Sequence, residues 1–162
     1  MILEIQIVTE HLNSLLLYSE DCIIINKRID KMKIRVYYED TDAGGVMYHT
    51  NYINFCERAR SEVFFQKNIP MNEDGYFVVK NIEADFKKSA KLGDMLEITT
   101  ELVDLKKASA QLVQKIYRND IEIFSLQVSV VYMTRDKIAK IPKNIITLFD
   151  TFKSEPTIKN TL

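Results

Sequence analysis

The chain has 162 residues, 46% hydrophobic and 28% charged, enough apolar material for one buried core and too little length for two. Lys and Arg total 22 against 23 Asp and Glu, a formal net charge of -1; nothing resembles the basic stripe that neutralises a phosphate backbone, so nucleic acid is not an expected partner. The apolar runs Leu15-Leu16-Leu17-Tyr18 and Cys22-Ile23-Ile24-Ile25 fall far short of the roughly 20 residues of a membrane-spanning helix, and no transmembrane segment is expected.

Residues 1–31 hold apolar clusters broken by Ser19-Glu20-Asp21 and end in the charged run Lys27-Arg28-Ile29-Asp30-Lys31. They read as an N-terminal extension, with Met32 as an alternative initiator. Glu4 stands where a signal peptide carries its basic region, and Cys22 and Cys56 lack a paired spacing, so the expectation is a cytoplasmic protein with reduced thiols. Met32-Lys33-Ile34-Arg35-Val36-Tyr37 alternates apolar and basic residues, the period of a half-buried strand. After Gly44-Gly45, Thr50 or Asn51 is placed to cap a helix that runs to about residue 68 and is stopped by Ile69-Pro70. Its core stripe is Tyr52, Phe55, Cys56, Ala59 and Val63, with Glu57, Arg58, Arg60 and Glu62 on other faces.

Four strands follow at 76–86, 95–105, 109–117 and 121–133, separated by Leu92-Gly93-Asp94, Lys106-Lys107 and Arg118-Asn119-Asp120. Links this short favour antiparallel neighbours, because parallel pairs need long crossovers. A short strand at 137–141, a helix at 144–152 after Pro142 and a polar tail at 154–162 complete the chain. The expected domain, 32–153, is α+β: a twisted antiparallel sheet wrapping one long helix.

The segment between the first strand and the long helix gathers three acids, two glycines, several tyrosines and His49, one of two histidines. Gly44 and Gly45 let the backbone pass close to a ligand. The loop delivers His49 and Thr50 to a helix N-terminus, where unpaired N–H groups favour a developing negative charge, a potential oxyanion hole. Composition alone would equally describe a solvated turn. A calcium loop starting at Asp40 would need glutamate where Asn51 stands, and His11, Cys22, His49 and Cys56 lack the spacing of a zinc site; no metal is expected.

Arg35-Val36-Tyr37-Tyr38-Glu39-Asp40-Thr41-Asp42-Ala43-Gly44-Gly45-Val46-Met47-Tyr48-His49-Thr50-Asn51-Tyr52, followed by Phe55-Cys56-Glu57-Arg58-Ala59-Arg60, resembles the signature of the YbgC-type acyl-CoA thioesterases, relatives of 4-hydroxybenzoyl-CoA thioesterase. The resemblance continues more weakly through Phe86-Lys87-Lys88-Ser89-Ala90-Lys91-Leu92-Gly93-Asp94 and covers about residues 33–153. Met47, Thr50 and Ser89 depart from residues common in the family, and none of these changes removes a polar catalytic group. The resemblance implies a hotdog fold, subunits paired sheet edge to sheet edge as homodimers or homotetramers, and an active site at their interface. It implies acyl-CoA as substrate, with acyl carrier protein as an alternative carrier, and no cofactor.

Matched residue by residue, Asp42 takes the catalytic carboxylate position, His49 the histidine position and Tyr38 an accessory tyrosine position. A carboxylate can deprotonate water or attack the thioester carbonyl itself, and both routes stay open. The leaving thiolate, with a pKa near roughly 8.5, needs little help from a general acid. Gly45, Tyr48 and Thr50 are substrate-binding candidates, as are Lys106 and Lys107, which in the related fold can meet the CoA phosphates; at a strand end such a pair is also an ordinary solvated turn. Lys87, Lys88 and Lys91 are weaker candidates. Arg58 and Arg60 are expected to form surface salt bridges with Glu57 and Glu62, and Cys56 to be a buried helix residue. Two other functions fit the same residues: a hotdog dehydratase acting on a hydroxyacyl thioester, and a non-catalytic module that binds acyl carrier protein.

Overall fold

The computed structural model describes residues 30–70, 75–150 and 152; the expected N-terminal extension up to residue 29 and the tail at 154–162 lie outside them. The first alternating segment forms strand β1, Asp30–Arg35, with Met32 and Ile34 turned toward the core and Lys31, Lys33 and Arg35 exposed. Helix α1 follows at His49–Gln66, then strands β2 at Tyr76–Phe86, β3 at Met95–Leu105, β4 at Ser109–Arg118, β5 at Ile121–Thr134 and β6 at Lys137–Ile138, and helix α2 at Lys143–Asp150. All pairings are antiparallel, in the order β1-β3-β4-β5-β2, with β6 added to β5.

Two tight turns explain the short links. Asn119 and Asp120 join β4 to β5 with φ of 50° and 62°, and Arg135 and Asp136 join β5 to β6 with 46° and 61°, the left-handed pair that matches strand twist in a two-residue hairpin. The alternation of β3, β4 and β5 then turns Leu96, Ile98, Leu112, Ile116, Phe124, Leu126 and Val128 onto one face. The stripe Tyr52, Phe55, Cys56, Ala59 and Val63 of α1 is buried, and the helix contacts β1, β3, β4 and β5. At the far end α2 buries Ile145, Leu148 and Phe149, and Phe149 packs on Phe64 and Phe77. Strand β2 is the exception: it lies at the sheet edge, and every residue from Val78 to Phe86 is exposed.

Both ends of α1 differ from expectation. Neither Thr50 nor Asn51 caps it. The cap residue is Tyr48, without a side-chain hydrogen bond, because the Asn51 amide donates instead to the Asp40 carbonyl at 3.2 Å. The helix ends before Pro70 exerts any effect: Asn68 takes a left-handed φ of 51°, while Asn68 N–H donates to the Phe65 carbonyl and Ile69 N–H to the Phe64 carbonyl, each at 3.0 Å. This double closure is the Schellman arrangement.

Arg60 also departs from its expected surface role. It is partly buried and donates to Gln114 Oε1 at 3.2 Å, and burial pulls its guanidinium below its ordinary value against the opposing charges of Glu57 and Cys56. Fully buried Gln114 donates in turn to the Cys56 carbonyl at 2.8 Å and to Thr100 Oγ1 at 2.9 Å. Glu57 accepts from Ser61, Glu62 from Gln66, and Arg58 lies over the Phe55 ring.

Gln114→Leu removes the acceptor of the Arg60 guanidinium and the donor to the Cys56 carbonyl and Thr100 Oγ1 and is expected to cost about 2–3 kcal/mol, read as a lowered urea midpoint, part of which Arg60→Met should recover. A second prediction concerns acid. Burial pushes the Asp94 carboxyl up, but the Arg118 hydrogen bond at 2.7 Å, the Lys91 N–H and the charges of Arg118 and Lys91 together hold it below its ordinary value. A depressed carboxyl stabilises the fold above its unfolded pKa of about 4, and that contribution is lost as pH falls through the folded value. The urea-midpoint gap between wild type and Arg118→Met should therefore be constant above about pH 5 and shrink below about pH 4.

Candidate active site

The segment between β1 and α1 is fixed by Asp40. Its carboxylate accepts the Tyr37 N–H at 2.8 Å, and its carbonyl accepts the N–H of Tyr48 at 2.8 Å and the side chain of Asn51. The loop is thus tied at its start and at the helix entrance, and Asp40 itself is buried. Between these ties Thr41 bridges Met47, Asp42 N–H donates to the Val46 carbonyl at 2.9 Å and Gly45 N–H to the Asp42 carbonyl at 3.0 Å. Gly45 turns the chain with a φ of 73°.

Asp42, two residues from Asp40, has the opposite environment. It is exposed, and its Oδ1 accepts the Gly44 N–H at 2.7 Å and, more loosely, the Val46 N–H at 3.4 Å. Among the described residues its Oδ2 has no hydrogen-bond partner. A Cβ at position 44 would sit 3.1 Å from Asp42 Oδ1, so glycine there leaves room for the carboxylate. One oxygen is anchored by backbone and the other is available for chemistry.

His49 is the first residue of α1, exposed, with its ring 4.3 Å from that of Tyr48. The Tyr48 N–H is taken by Asp40 and the Asn51 N–H by the Tyr48 carbonyl, whereas the N–H groups of His49 and Thr50 have no acceptor among the described residues. These are the orphan donors of a helix start. Tyr38 lies on a single 3-10 turn, Tyr38–Asp40, and is 83% exposed.

A pocket of about 290 Å³ opens beside His49, at the low end of the about 300–1,000 Å³ usual for small-molecule sites. Met47, His49 and Tyr52 form one wall and Phe86, Lys87, Lys88 and Ser89 the other. Asp42 and Tyr38 do not line it. Tyr52 and Phe86 were expected as a core stripe residue and a strand end within the matched segments, with no place in a pocket wall assigned to either. Lys87 carries its charge paired to Glu122 and Asp85; Lys88 is exposed. Lys106 and Lys107 are not part of this group within one chain: they follow the last residue of β3, while the site lies beside its first, and Lys106 pairs with Asp104 at 3.5 Å. Cys56 is buried, its thiol pushed up to about 12 by burial against the lowering charge of Arg60, which removes it as a nucleophile.

The profile of the Thioesterase superfamily matches residues 44–124. The acyl-CoA thioesterase YbgC of Helicobacter pylori is 55% identical over 87 residues, covering 53% of this chain and 65% of that protein, so the chain spans just under two thirds of that relative's length. The acyl-CoA thioester hydrolase YbgC of Escherichia coli is 36% identical over 135 residues, covering 77% of this chain and 98% of the relative. A hypothetical protein of Aquifex aeolicus has a similar structure, with a TM-score of 0.70 at 24% identity over 74% of this chain and 98% of its own. The chain belongs to the thioesterase superfamily, as a YbgC-type member with the hotdog fold.

Proposed function

We propose that the protein is an acyl-CoA thioesterase, hydrolysing the thioester to a free acid and CoA thiol, with Asp42 as the reacting carboxylate. The observation that carries this reading is the pairing of an anchored, exposed carboxylate with unpaired N–H groups at the start of α1, on one backbone-closed loop. The activities named for the Helicobacter and Escherichia relatives support it.

In this reading the N–H groups of His49 and Thr50 donate hydrogen bonds to the thioester oxygen as it gains negative charge, and the helix dipole strengthens them. Asp42 Oδ2 either takes a proton from water, whose oxygen then bonds the carbonyl carbon, or attacks that carbon to give a mixed anhydride that water cleaves. In both routes the C–S bond breaks and its electron pair leaves as the CoA thiolate. His49 orients the substrate or the water, Tyr38 is an accessory group, and Gly45, Tyr48 and Thr50 contact the substrate. Acyl carrier protein is the alternative carrier, and the cytoplasm the expected location.

The working unit is proposed to be a homodimer, or a homotetramer built from it. Among the described residues strand β2 has a free edge, with Val78, Val79, Ile82 and Phe86 exposed, a surface suited to strand pairing with a second copy. Phe86 also walls the pocket, so such a pairing would complete the site at the subunit interface. CoA phosphates then remain assigned to Lys106 and Lys107, with Lys88, which lines the pocket together with His49, as a further candidate.

Asp42→Ala should reduce thiol release from acyl-CoA by at least about a hundredfold, assayed over short, long and aromatic acyl groups, with the circular dichroism spectrum and oligomer unchanged; full activity would remove Asp42 from the chemistry, and an enoyl thioester formed without thiol would favour dehydration. Ile82→Lys places like charges across the proposed edge pairing. It should give a folded monomer by light scattering that releases no thiol, and an active monomer would contradict the interface site.

A further inference from the structure

Tyr52 was expected as a member of the helix's apolar stripe, at the end of the matched signature, and its polar end is hydrogen-bonded as well. The side chain is 3% exposed, and its phenol oxygen accepts the N–H of Ala90 at 2.8 Å. Ala90 is fully buried, and its carbonyl accepts the N–H of Met47 at 2.8 Å, while the adjacent Val46 bridges Lys91. The Tyr52 ring meets Phe86 edge-on at 5.5 Å and Phe124 at 5.2 Å. One side chain therefore links both walls of the pocket: it stands in the wall of the helix start, meets Phe86 on the other, and reaches Met47 through Ala90.

We propose that Tyr52 is a positioning residue, whose hydroxyl fixes the loop bearing Asp42 and His49 against the strand end that walls the pocket. The ring alone would fill the space. Without the hydroxyl, the buried Ala90 N–H has no acceptor and must turn toward water, because a desolvated amide left unpaired is unfavourable. Ala90 is coupled to Met47 through its own carbonyl, so the shift reaches the loop two residues before His49. The kinetic consequence rests on the thioesterase reading, and the structural consequence does not.

Tyr52→Phe keeps the aromatic packing and removes only the acceptor. Its comparison is Ile145→Ala, a buried position of α2 outside the site, matched for loss of Tm. Amide hydrogen exchange should accelerate in Tyr52→Phe over both 44–49 and 87–94, and in Ile145→Ala over neither. Thiol release by Tyr52→Phe should show kcat lowered about tenfold and kcat/KM lowered by the same factor, as for geometry needed only in the transition state, with Ile145→Ala near wild type. Faster exchange confined to 87–94, or wild-type kcat in Tyr52→Phe, would overturn the proposal. If the wild-type protein releases no thiol from any acyl-CoA, the thioesterase reading fails, and the exchange comparison alone decides the role of Tyr52.

Discussion

The seating of α1 on the sheet is the constraint from which the site follows. Tyr52, Phe55, Cys56, Ala59 and Val63 form one apolar stripe, and it is buried with the inward side chains of β3, β4 and β5. The hydrophobic gain is nondirectional, but the Gln114 bonds to the Cys56 carbonyl and Arg60 are not. Together they fix where the helix begins, and the helix start is where the unpaired N–H groups are. Displacing the helix would move these donors away from the Asp42 loop.

The loop also holds two carboxylates in contrasting surroundings within one tightly bonded segment. Two aspartates two residues apart divide the work. Asp40 is buried and spends its carboxylate and carbonyl on backbone and Asn51; Asp42 is exposed and anchored through one oxygen. Gly44 makes the second arrangement possible, since any Cβ would press on the same oxygen. The result is a carboxylate with fixed direction and an available oxygen atom, the preorganisation that transition-state stabilisation needs.

Features written in short-range pattern were legible in the sequence. Alternation placed strands β2 and β3 at their observed bounds and the others within a few residues, and helical spacing named the buried stripe of α1 correctly. Features that depend on tertiary partners were not. Arg60 reads as a surface charge until Gln114, 54 residues away, is brought beneath it. Pro70 reads as the helix stop, although Asn68 adopts the left-handed turn first. Lys106 and Lys107, expected to meet the CoA phosphates, stand across the eleven residues of β3, an extended span of roughly 34 Å, from the start of α1 within one chain. Phe86 and Tyr52 lie in the matched segments, but their place in the pocket wall rests on the closure of β2 against β5 beside the helix start.

The central claim is that thioester chemistry occurs between Asp42 and the first N–H groups of α1, and the most direct test is a crystal structure of the protein with a non-hydrolysable acyl-CoA analogue. The account predicts the analogue's carbonyl oxygen about 3 Å from the His49 or Thr50 N–H, with the Asp42 carboxylate against the carbonyl carbon or a water beside it. An analogue bound with its carbonyl remote from both would contradict the account.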